Sequence, residues 1–262
     1  MNKSLSSTLA VAGAALGAAE KLQAADVNTG NPAAAVDALN DFDWGQPYDK
    51  LKPLDEAIAA SFGNSEARKA IEQKLIAVVK SNASRGAKDY ACRKLMLIGS
   101  AASVPTLAAL LADKEMSHMA RFALERMEIA EAAKALRDAV ATTSGAQKIG
   151  VIGSIGARGD AEAVPVLAAS LKDTDPEIAA AAATALGLIG TTSAAQALAG
   201  VTPSEAVKPA WTDARLACAE KLLAAGDKVQ ALAIYKSLNT DDQPKQVRLA
   251  ATRGMLAAAG AK

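Results

Sequence analysis

Histidine is almost missing from this chain: His118 is the only one in 262 residues. A Ser-His-Asp or Cys-His constellation could draw on that residue alone. Its neighbour Ser117 would point in a different direction on a helix, so His118 reads as a polar residue on a helix face. Cysteine is nearly as scarce. Cys92 and Cys218 lie 126 positions apart, and neither has a second Cys or a His at metal-ligand spacing. Both sit in apolar helical contexts and read as small buried fillers. No tightly bound transition metal and no cofactor are expected. Aromatic residues make up 3% of the chain, and neither charge sign prevails: 29 Lys+Arg face 28 Asp+Glu for a net charge of +1. The signs alternate in stretches such as "EAAKALRD", which describes a solvated helical surface and not a phosphate track, so nucleic acid is not an expected partner. Period-two runs of Val, Ile, Thr and Tyr are few, which argues against a sheet. No run reaches the roughly 20 apolar residues of a membrane span.

Two short stretches imitate functional motifs. "GVIGSIGARGD" (150–160) resembles a phosphate loop, but no strand precedes it and the Lys-Ser/Thr ending is absent. Its glycines read instead as helix packing at Gly150 and Gly153 and helix termination at Gly156 and Gly159. Carboxylate pairs such as Glu125 with Glu128 lack the glycine-containing spacing of a calcium loop.

Alanine is abundant, with 65 residues, and hydrophobic residues reach 51%. Alanine is the strongest helix former and is depleted in strands, so the chain reads as all-α. The first residues, "MNK" followed by "LSSTLAVAGAALGAA", fit an export signal over 1–25, which would place the mature chain in the periplasm or outside the cell, starting near Asp26. An alanine-rich first helix in a cytoplasmic protein fits the same residues. Residues 26–64 read as a linker with capping helices.

A repeat occupies residues 65–262. Runs related to "ALGLIG" end at residues 99, 128, 156, 190, 226 and 260, and "AASVPTLAALLAD" (101–113) matches "AEAVPVLAASLKD" (161–173) almost position for position. Pro close to a helix start and Gly at its end fit two helices per unit, with Ser103 or Asp160 as the N-cap before Pro. The expected pairs are 65–80 with 84–99, 103–112 with 115–128, 131–141 with 144–156, 160–172 with 175–190, 192–199 with 208–225 and 228–238 with 243–259.

"EAVPVLAASLKDTDPEIAAAAATALGLIG" resembles the HEAT repeat of the short bacterial, PBS-lyase-like type. The resemblance is strongest over 160–190 and covers roughly 65–200. One departure is Ala179, where the family commonly carries Arg; "QVRLAA" near 248 keeps it. Residues 219–238 also resemble a tetratricopeptide helix pair. The resemblance implies a right-handed α-solenoid of about six helix pairs and a concave face lined by the second helices, where a protein or peptide would bind. The alternative is an accessory unit of an enzyme complex. The diiron hydroxylases of this scaffold need His-Glu pairs, and "HE" does not occur in this sequence. Aligning the second helices puts Asp89, Met96, His118, Arg121, Glu125, Ala180, Ala183 and Gly187 on one candidate row. Ala181 and Ala182 are expected as spacers between stacked layers, and Ala180 and Ala183 as open surface. Met116, Met119, Phe122 and Met127 fit either a core stripe or a methionine-rich groove.

Overall fold

The computed structural model describes residues 31–260. The expected leader, 1–25, and the expected mature start near Asp26 lie outside the described residues. Every regular element among the described residues is helical. A 3₁₀ turn at Pro32–Leu39, another at Tyr48–Leu51 and helix α1 (Lys52–Ala60) form the first layer, which packs on α2. Six pairs follow: α2 (Ser65–Lys80) with α3 (Arg85–Ile98), α4 (Val104–Ala108) with α5 (Ser117–Arg126), and α6 (Ala130–Thr142) with α7 (Gly145–Arg158). They continue as α8 (Val164–Ser170) with α9 (Pro176–Ile189), α10 (Thr192–Ala199) with α11 (Lys208–Ala224), and α12 (Lys228–Leu238) with α13 (Lys245–Ala258). Second helices touch in order, α3 to α5, α7, α9, α11 and α13, so they build one layer, while α2, α4, α6, α8 and α10 lie in the other. The expected α-solenoid of six pairs is the architecture found.

Local chemistry sets the helix starts. Side chains of Asn64, Ser84, Asp175, Thr191 and Asp227 accept hydrogen bonds from first-turn amides, and these amides have no intrahelical partner. Asp160 caps a 3₁₀ turn (Ala161–Ala163) that leads into α8. Ser103 does not cap α4. Its hydroxyl donates to the buried carboxylate of Glu72, which also accepts from the amide of Ser100 at 2.7 Å. Glu72 thus ties α2 to the α3–α4 turn, a contact that spacing along the chain does not announce.

The alanines work as spacers. A Cβ built on Gly156 of α7 would fall 2.8 Å from Cα of Ala185 on α9, and one built on Gly187 of α9 would fall 2.7 Å from Cα of Ala214 on α11. Backbones therefore meet with no side chain between them, closer than the usual 8–10 Å between helix axes allows for larger residues. Ala182 is fully buried and Ala181 half-buried. Of the two glycines expected to end α7, only Gly159 does so: the helix runs through Gly156 to Arg158 and stops at Gly159, at φ 67° in the left-handed region. The corresponding stop of α9 is Gly190, at φ 65°. The two stops are 31 residues apart.

The thiols of Cys92 and Cys218 are both buried, and burial pushes them up to about 12 and about 11. A thiol held in its neutral form is a poor nucleophile.

Candidate binding surface

The second helices share a register that fixes which side chains face out. Relative to Thr184 of α9, the equivalent positions are Gly153 on α7, Phe122 on α5 and Arg93 on α3. One turn further along come Leu188, Ala157, Arg126 and Leu97. All eight are exposed except Phe122, which is half-buried. They form two parallel rows across four helices, because residues four apart on a helix lie on the same face.

The sequence-derived row is only partly on this face. His118 is exposed, and Met96, Arg121, Glu125 and Ala180 are half-buried along its edge. Asp89, Ala183 and Gly187 are corrections, because all three are buried. The alignment of α3 and α5 on α9 agrees with the exposure pattern. The error is rotational: positions 183 and 187 turn into the α9–α11 contact, where Gly187 meets Ala214. The open positions are 184 and 188. The methionine stripe divides as well, with Met116 and Met127 in the core and Met119 half-buried beside it.

At the α5–α7 edge the guanidinium of Arg121 fills the space where Gly150 has no Cβ, and its Nη1 donates to the Gly150 carbonyl at 3.1 Å. Burial lowers the Arg121 pKa, against an opposing pull from Glu125. Glu125 accepts from Ser154 Oγ at 3.0 Å. Arg121 and Glu125 are thus brought together, but as a brace between two helices. Arg158 acts similarly: its Nη1 donates to the carbonyls of Leu124, Glu125 and Met127 at 2.7–2.9 Å and so satisfies the end of α5. Lys221 donates to the Leu188 carbonyl at the end of α9.

Along the rows the chemistry changes. On α3 and α5 lie Arg93, Leu97, Phe122 and Arg126. On α7 and α9 the surface is small and uncharged, with Gly153, Ala157, Thr184 and Leu188. Past them α11 exposes Asp213 and Glu220. Phe122 was left open in the sequence between core and groove, and Leu97 was missed. Their four-residue spacing from Arg126 and Arg93 was the available signal.

Among the described residues, no three His, Cys, Asp or Glu side chains are placed to hold a metal ion, and no helix is long and apolar enough to cross a membrane. A cleft of about 530 Å³ lies between the start of α2 and the α3–α4 turn and is lined by residues including Arg68, Glu72 and Ser100.

A family model for HEAT repeats matches residues 133–210, from α6 into α11. No curated protein matches the chain in sequence. Among solved structures, an engineered protein is similar over 88% of this chain and 68% of its own, at 20% identity and a TM-score of 0.42. Human deoxyhypusine hydroxylase in complex with glycerol is similar over 87% of this chain and 97% of its own, at 16% identity and a TM-score of 0.33. Residues 133–210 thus resemble HEAT repeats, and stacked helix pairs continue on either side of them.

Proposed function

We propose that the protein is a non-enzymatic scaffold that binds a protein or peptide along the outward face of its second helices. The observation that supports this is the pair of rows from Arg93 and Leu97 to Thr184 and Leu188. Four successive helices leave one continuous strip open, and two leucines on it, Leu97 and Leu188, are 54% and 43% exposed. Stacked repeats create extended surfaces of this kind, and repeats of this architecture use them for partners. Among the described residues the strip is an open surface, which favours a scaffold over an accessory unit of an enzyme.

The reading is tested by placing a photo-crosslinking amino acid at Thr184 in the strip, or at Ala169, exposed on α8 in the other layer. In cells that make the protein, a discrete crosslinked species is expected from position 184 and not from 169. Crosslinking from 169 alone, or equally from both, overturns it.

A further inference from the structure

We infer that the α3–α5 end of the strip recognises an acidic segment of a peptide, with apolar side chains set between its carboxylates. This inference rests on the scaffold reading and adds the chemistry of the partner. Arg93 and Leu97 on α3 stand beside Phe122 and Arg126 on α5 in a two-by-two arrangement, with the arginines on one diagonal and the apolar residues on the other. Both guanidinium groups lie against the Phe122 ring, at 5.4 Å for Arg93 and 4.2 Å for Arg126. Both distances are measured from the same centroid, so together they bound the separation of the two guanidinium carbons at 9.6 Å. Contact with an aromatic face holds a cation in place without consuming its in-plane donors.

Each arginine also has a carboxylate partner, but the pairs are lopsided. The Arg93 side chain is 53% exposed and that of Asp89 11%; for Arg126 and Glu125 the values are 49% and 25%. The anions are sunk and the cations stand out, so an approaching partner meets positive charge although the pairs are formally neutral. Arg93 bonds Asp89 through Nε, and Arg126 bonds Glu125 through Nη1. The other guanidinium nitrogens have no protein partner among the described residues and are open to a carboxylate, the group whose geometry a guanidinium fits best. Leu97 and Phe122 supply the apolar contact between them. Arginine beside a large apolar residue is the composition of binding hot spots.

The rest of the strip selects peptide over phosphate. A nucleic-acid backbone is held by a track of cations, and beyond Arg126 the rows pass through Gly153, Ala157, Thr184 and Leu188, where Lys221 is engaged by the Leu188 carbonyl, before α11 exposes Asp213 and Glu220. Those two carboxylates repel a second acidic stretch, so the acidic part of the partner is directed to α3–α5.

The test uses the full chain and labelled peptides with the same leucine spacing, carrying Glu, Gln or Lys between the leucines. Binding is followed by fluorescence anisotropy beside a dT15 oligonucleotide and phosphatidylserine vesicles. The Glu peptide should bind about tenfold or more tightly than the Gln peptide, a contrast typical of close charge pairs. The double variant R93E/R126E should reverse the order and prefer the Lys peptide, a gain that misfolding cannot produce. Equal binding of the three peptides, no binding, an unchanged preference in R93E/R126E, or arginine-dependent binding of the oligonucleotide or vesicles overturns the inference. The wider scaffold reading is judged separately, by the crosslink from position 184.

Discussion

Glycine in this chain does two different jobs, and they can be separated by adding one methyl group. Gly187 is buried in α9 with its missing Cβ facing the Ala214 backbone, whereas a Cβ on Gly153 of α7 would meet nothing within 4 Å. Gly187→Ala should therefore destabilise the protein by about 1–3 kcal/mol, the range for overpacking a filled contact. Gly153→Ala should stabilise it by about 0.5–1 kcal/mol through the lower helix cost of alanine. Denaturant unfolding of the two variants decides the matter, and changes of the same sign would mean that the close α9–α11 approach is not tight. Chain spacing alone cannot tell such a packing glycine from a stop glycine. That is why both Gly156 and Gly159 read as ends of α7 in the sequence, while only Gly159, where φ is positive, is the stop. For the same reason the candidate face was half legible. The repeat located the right helices, but whether position 183 or 184 faces out depends on how closely α11 approaches, and that is set by Gly187 and Ala214 together.

Between elements, the stack is fastened by charged side chains that cross from a helix to a turn. Lys148 on α7 reaches Asp173 in the α8–α9 turn at 2.7 Å, and Arg137 on α6 reaches Asp160 at 2.6 Å. The Lys148 hydrogen bond, followed by the Asp175 amide, holds the Asp173 carboxyl below its ordinary value. A depressed carboxylate contributes stability that is present above its unfolded pKa of about 3.9 and is lost as pH falls through the folded value. Asp173→Asn should thus melt at a lower temperature than the parent near neutral pH, and the gap should close as the pH drops below about 4. Melting curves over that range are the check, and a gap of constant size would show that the charge of Asp173 plays no part. The helix pairs themselves were readable in advance from caps and prolines, as at Asp175 and Pro176 of α9. The cross-element ties were not, because Glu72 and Ser103, or Arg158 and Leu124, come together only when the layers stack.

At the scale of the whole molecule each pair touches mainly its neighbours, so stability accrues pair by pair. The matching stops at Gly159 and Gly190 carry this further. Three residues before each stop lies a glycine set against an alanine of the next second helix: Gly156 on Ala185 and Gly187 on Ala214. Excision of residues 160–190 would join Gly159 to Thr191 and bring Gly156 to the place vacated by Gly187, opposite Ala214. The shortened protein should be helical by circular dichroism and should still unfold in a single sharp transition. A molten product with no cooperative melt would show that the two joints are not interchangeable. If they are, a chain of this kind can gain or lose length by unequal recombination in whole 31-residue steps, with the ends of the exposed strip carried closer together or further apart while the local joints stay the same.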